Sequence, residues 1–225
     1  GGTSLALRFG HRISIDLDFF THTAFENEEL AQALKLEFPL DERRRGPTGI
    51  TGFIEGVKID FVKYPYPPLH PPDTLDGIRL VSLSDVIAMK LSAITNRGAK
   101  KDFYDLQTLI ERFGLNKLVI DYQAKFPETD PLMLLRSVAY FDDAETDEDP
   151  QALRDLTWED VKSAIRESVR SQDRRRCCLA IDVSKFPRGR MSLRRTRLTA
   201  TLRHSRSMSM QTICRMRSLS TARPA

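Results

Sequence analysis

Between residues 12 and 20 the segment RISIDLDFF interleaves apolar Ile13, Ile15, Leu17 and Phe19 with Ser14, Asp16, Asp18 and Phe20. That period of two predicts a strand with one apolar face. A short helix over 3–9, stopped at Gly10, precedes it, and a second helix follows over 26–37, with acids in the first turn where the helix dipole favours them. Residues 41–49 read as a charged loop containing Gly and Pro. ITGFIEGVKIDFVKY then reads as two strands joined tightly around Gly56. Val57, Ile59 and Phe61 take one face, and Lys58, Asp60 and Val62 the other. The run YPYPPLHPP has extended, polyproline-like character and reads as a spacer.

From Leu83 the apolar period lengthens. Leu83, Ile87, Leu91 and Ile94 share one helical face behind Ser84 as N-cap, and NRG interrupts the pattern. A further helix is predicted over 99–113, with Phe103, Leu106, Ile110 and Phe113 as its buried stripe and Gly114 as its stop. Others are predicted over 115–125, over 131–141 behind Asp130-Pro131, and over 158–170 behind the capping box TWED, with Trp158 as a packing anchor. The first half is α/β and the second helical. No window approaches the roughly 18–20 apolar residues of a membrane span.

Composition changes this picture in one respect. The 225 residues carry 35 Lys+Arg against 31 Asp+Glu, but residues 1–172 hold 21 basic and 29 acidic side chains, whereas 173–225 hold 14 and 2. The ending has 13 Arg, a single Lys and 12 Ser/Thr with no sustained period, and is expected to be a disordered basic tail. Two origins stay open for it: an RNA-binding segment that neutralises phosphates, or a stretch read out of frame. Cys177, Cys178 and Cys214 all lie in it; an odd number with adjacent members is no disulfide framework. Together with a start that lacks the plan of a signal peptide, this predicts a reducing, cytoplasmic setting. The opening on two glycines inside a motif predicts a catalytic part cut short at its N-terminus.

The candidate chemistry is carried by carboxylates. Asp16 and Asp18, two apart on a strand, would leave the same face while Ile15 and Leu17 go to the core. Close unpaired carboxylates repel unless a cation sits between them, and an all-oxygen site suits Mg²⁺ that also holds substrate phosphates. Asp60, on the polar face of the next hairpin, could complete a two-metal site with ions about 3.5–4 Å apart. Upstream, Gly1-Gly2-Thr3-Ser4 precedes a helix, so its N–H groups, hydroxyls and positive dipole end form a phosphate cradle. Arg12 either binds phosphate or covers the sheet edge. Lys101 and Asp105, at i and i+4, read as a surface ion pair. Arg43-Arg44-Arg45 reads as a solvated charge run, with RNA contact as the functional alternative. His11, His22, His70 and His204 have no metal-ligand spacing, which argues against zinc.

GGTSLALRFGHRISIDLDFF, KIDFV and MKLSAITNRGAKKDFYDL, in this order, resemble the AbiEii/AbiGii toxin family, a branch of the nucleotidyltransferases that share the DNA polymerase β catalytic fold. The resemblance covers about residues 1–170 and includes SVAYFDDAE and LTWEDVK near its end. It implies an α/β (α+β) fold: a polymerase-β-like core with a mixed sheet over 1–80, a helical part over 81–172 that closes the cleft, and the tail 173–225 outside both. Gly2 and Ser4, with Thr3 between them, match the phosphate-holding positions; Asp16 and Asp18 match the metal pair, and Asp60 the third carboxylate. Lys90 matches a helix lysine that contacts phosphate, and Asp102 the acid of the last motif. The implied activity is Mg²⁺-dependent attack of a hydroxyl on the α-phosphate of a nucleoside triphosphate. It would serve a growth-arresting toxin of a toxin–antitoxin or abortive-infection pair, with a cognate antitoxin and RNA or tRNA as acceptor. Two alternatives stay open: a catalytically inactive copy that binds a nucleotide or partner, and transfer to a small molecule.

Overall fold

The computed structural model describes residues 1–178; the readings of the tail beyond them lie outside the described residues. The tight hairpin predicted around Gly56 joins β3 (Gly49–Ile54) to β4 (Val57–Lys63). Its two turn residues, Glu55 and Gly56, have φ of 50° and 79°, the type I′ geometry whose twist matches that of the flanking strands. β4 also pairs with β1 (Leu17–Thr21) in parallel, and β3 pairs with β2 (Leu40–Gly46), so the sheet order is β1-β4-β3-β2 and the sheet is mixed.

Two sequence expectations change here. Most of the expected loop over 41–49 belongs to β2, the edge strand, whose run of charges hides it because only Leu40 supplies an apolar anchor on the core face. Charged side chains on an edge strand discourage unwanted pairing. β1 begins only at Leu17. The chain ahead of it is diverted to another segment, where Ile13 N donates to Gln151 O and Leu153 N donates to His11 O. Ile15, expected in the core, is therefore 67% exposed.

α2 (Asn27–Glu37) covers one face of the sheet, burying Leu34 against Ile59 and Phe61, with Leu17, Phe19, Leu30 and Leu40 around them. Phe19 and Phe61, opposite each other in the parallel register, stack at 5.0 Å. Each such side chain, fully buried, stabilises the fold by about 1.5–3 kcal/mol. The other face carries Asp18, Thr51, Lys58 and Asp60 among Phe20, Phe53 and Val62.

The second half is built from α3 (Leu83–Asn96), α4 (Lys100–Phe113), α5 (Leu115–Lys125), α6 (Pro131–Val138) and α7 (Trp158–Cys178). Ile87, Leu91, Phe103, Leu106, Leu118, Val138 and Ile165, drawn from all five helices, form the centre of its core. α1 (Gly2–Phe9) belongs to the same layer, because Leu5 is wholly buried within it. Ser82 caps α3 in place of Ser84, its hydroxyl accepting from Asp85 N. α6 stops at Val138, short of the predicted 141. α7 runs on past 170 from a capping box in which Thr157 N donates to Asp160 and Asp160 N donates to Thr157 Oγ1. Trp158 packs against Phe103 and Phe141, as an anchor should.

The Pro-rich run is more than a spacer. Asp85, almost wholly buried, accepts from the backbone N–H groups of Leu69 and His70, from Ser82 Oγ and from Lys125 Nζ at 2.5 Å. Lys125 Nζ also donates to Pro67 O at 3.0 Å. One buried ion pair thus holds the segment against α3 and α5. A short ribbon of β5 (Asp73–Leu75) and β6 (Ile78–Leu80) follows.

Candidate active site

The sheet face turned away from α2 carries two of the candidate carboxylates side by side. Asp18 lies opposite Asp60 in the β1–β4 register, and Thr51 lies opposite Asp60 in the β3–β4 register. Directly paired residues project to the same face. Thr51 Oγ1 donates to Asp60 at 2.5 Å and Lys58 Nζ donates to its other oxygen at 2.6 Å. Burial pushes the Asp60 carboxyl up, but Lys58 and Thr51 outweigh it and hold the group below the usual carboxylate range. Asp16 is placed differently from expectation. It precedes β1, its backbone carbonyl accepts from the Thr3 hydroxyl, and its carboxylate lies 3.5 Å from Lys101 Nζ.

The double glycine sits where side chains would collide. A Cβ on Gly1 would fall on the Asp18 carboxylate, and one on Gly2 would lie 2.3 Å from Arg12 Nη2. Glycine here lets the start of α1 approach both groups. Ser4, with its side chain buried in the first turn of α1, accepts from Arg8 Nε at 3.5 Å.

Behind the glycines lies a buried ionic network. Lys90 Nζ, from α3, is 2.7 Å from both Asp102 and Asp105 of α4. Arg12 donates to both oxygens of Asp105, at 2.6 and 2.9 Å, and His11 Nε2 makes a third contact at 2.6 Å. Arg97 Nε donates to Asp102 at 3.0 Å. Burial pulls the Lys90 amine down, yet Asp105 and Asp102 prevail and raise it above the ordinary lysine value. Burial pushes both carboxyls up, but Lys90 above all, then Arg97 at Asp102 and His11 and Arg12 at Asp105, hold them low.

Sequence reasoning puts Lys90 and Asp102 in one helical part but misses Asp105 and His11. The expected Lys101–Asp105 surface pair does not form: Asp105 is wholly buried and Lys101 turns to Asp16. The available signal is the spacing of Asp102, Asp105, Leu106 and Leu109, which puts two acids on the apolar side of α4. Arg12 is not free for a ligand in this arrangement, since its guanidinium is bound by Asp105 and Ile13 O.

The donor chemistry of Asp18 and Asp60, oxygen only and on adjacent strands, fits a hard divalent cation. A complete set is not gathered: among the described residues no group of three or more His, Cys, Asp or Glu is placed to hold a metal ion. Among them, too, no helix is long and apolar enough to cross a membrane.

Comparison with known proteins gives the class. A family model described as "Nucleotidyl transferase AbiEii toxin, Type IV TA system" matches residues 1–56 and 51–177, so the protein is a nucleotidyltransferase. The chain belongs to the AbiEii toxin family. It is 33% identical over 181 residues to the uncharacterized protein aq_aa25 of Aquifex aeolicus strain VF5, a match that covers 76% of this chain and 84% of the relative. It is also similar to the crystal structure of JHP933 from Helicobacter pylori, with 18% identity, a TM-score of 0.49, and coverage of 79% and 85% of the two chains.

Proposed function

We propose that this chain is a magnesium-dependent toxin that transfers a nucleoside monophosphate from a nucleoside triphosphate to a hydroxyl of RNA, with tRNA as acceptor, in the cytoplasm and under control of a cognate antitoxin. The observation that carries this reading is the Asp18–Asp60 pair on the open face of the sheet, beside the start of α1. Asp18 and Asp60 would hold the cation, with Asp16 turning from Lys101 to join them, and the cation when bound supplies charge neutralisation at the phosphates. Gly2, Thr3 and Ser4 would receive the triphosphate at the N-terminal end of α1. Lys58 and Thr51 keep Asp60 ionised and oriented.

Lys90, Asp102 and Arg12 are assigned as positioning residues. Each is already bonded inside the network, which holds the glycines against the carboxylate face. Incubating the protein with each α-labelled nucleoside triphosphate, Mg²⁺ and total RNA tests the reading. Label entering RNA, and lost when Mg²⁺ is chelated, is the expected result. Label in a low-mass product would move the acceptor to a small molecule, and nucleotide binding without transfer would make the chain a binding module.

A further inference from the structure

The irregularity in β2 falls inside the run Arg43-Arg44-Arg45. Leu40, Asp41 and Glu42 pair with Ile54, Phe53 and Gly52, but it is Arg44 that pairs with Thr51. Arg43 is thus an extra residue, a β-bulge. In an unbroken strand Arg43 would lie opposite Thr51, and Arg44 would be sent to the face covered by α2. The bulge reverses this. Arg45 lies opposite Ile50 and pairs with Glu28 of α2 and with Glu42, whereas Arg44 joins the carboxylate face. Arg44, Thr51, Asp60 and Asp18 form one row across all four strands.

The three arginines also differ in their partners. Arg43 pairs with Asp41 at 2.5 Å and lies over the Phe53 ring. Arg44 is exposed and has no hydrogen-bond or ion-pair partner among the described residues, although its charge helps keep Asp60 ionised. Bulges beside active sites commonly re-aim a side chain, and a guanidinium fork matches phosphate oxygens. At about 4.8 Å per strand, Arg44 stands about 10 Å from the β4 carboxylate and about 14 Å from the β1 carboxylate along the row. The triphosphate cradle lies at the opposite end, by Gly1 and Asp18.

We infer that Arg44 binds a backbone phosphate of the polynucleotide acceptor, guiding the strand in from the β2 edge toward Asp60 and Asp18. This rests on the RNA reading above. The test is fluorescence anisotropy of labelled unfractionated tRNA, and separately of fluorescent nucleoside triphosphates, between about 50 and 200 mM salt. Arg44→Ala should weaken tRNA binding about tenfold and lower the salt slope by about one, with nucleotide affinity unchanged. Arg44→Lys should keep the slope while losing part of the affinity. Arg43→Ala should alter neither. Unchanged tRNA affinity in Arg44→Ala overturns the inference and leaves the RNA reading standing. A loss confined to nucleotide affinity reassigns the phosphate to the donor and also overturns it. Failure of the wild-type chain to bind tRNA overturns the RNA reading itself.

Discussion

Arg12 and Asp105 meet in a two-point bond, Nε to Oδ1 at 2.6 Å and Nη2 to Oδ2 at 2.9 Å, across 93 residues of sequence. The bond ties the segment ahead of β1 to the middle of α4, and Gly2 rests against the same guanidinium. Removing Asp105 leaves Arg12 and Lys90 short of a counter-charge inside the protein. Asp105→Ala should lose about 3–5 kcal/mol in urea unfolding at pH 7. A loss below about 1 kcal/mol would mean that the network contributes little to stability.

The same network sets a pH window. Asp102 and Asp105 have lowered folded-state values, so their contribution is present above the unfolded carboxyl value of about 3.9 and fades as pH falls below it. Lys90 has a raised value, so its contribution is present below about 10.4 and fades as pH rises through the folded-state value. The stability gap between wild type and Asp105→Asn should shrink as pH falls below about 3.9. A gap that widened in acid would contradict these signs.

Gly2→Ala places a methyl group 2.3 Å from a guanidinium that cannot swing away without breaking its bond to Asp105. Overpacking of this kind should destabilise by about 1–3 kcal/mol. Thermal unfolding of the variant beside Gly46→Ala, where a Cβ meets nothing within 4 Å, isolates the collision from the loss of glycine. Equal melting points for the two variants would dismiss the collision.

Asp18→Asn and Asp60→Asn keep shape and remove charge. Each should lower nucleotide transfer about 100-fold or more while circular dichroism stays unchanged. Retained transfer in either variant would remove that residue from the proposed site.

Asp85→Ala releases the Pro-rich segment as well as leaving Lys125 unpaired in the protein. Limited proteolysis should then cut between residues 64 and 72 well before the rest of the folded chain. A digestion pattern matching wild type would assign the hold to other contacts.

Periodicity makes the hairpin around Gly56 and the helical half legible, because both hide an apolar face from water. It also puts Asp18 and Asp60 on polar faces, though not opposite each other, since parallel register is a tertiary property. β2 is not legible because an edge strand needs few apolar residues. β1 reads too long because residues 11–13 pair with 151–153 rather than with the sheet. Asp105 reads as a surface residue because Lys101 four residues earlier offers an ordinary local partner, whereas its real partners come from distant segments of the chain.

The parallel ladder of β1 and β4 has a consequence for the chain as it leaves the ribosome. Asp18 emerges about 40 residues before the strand that aligns it, and its supporting network waits for α4. A nascent chain that has not yet reached α4 carries Asp16 and Asp18 without their scaffold. Toxicity of the proposed kind would therefore switch on late in synthesis, and translation products that end before α4 would be harmless to the cell that makes them.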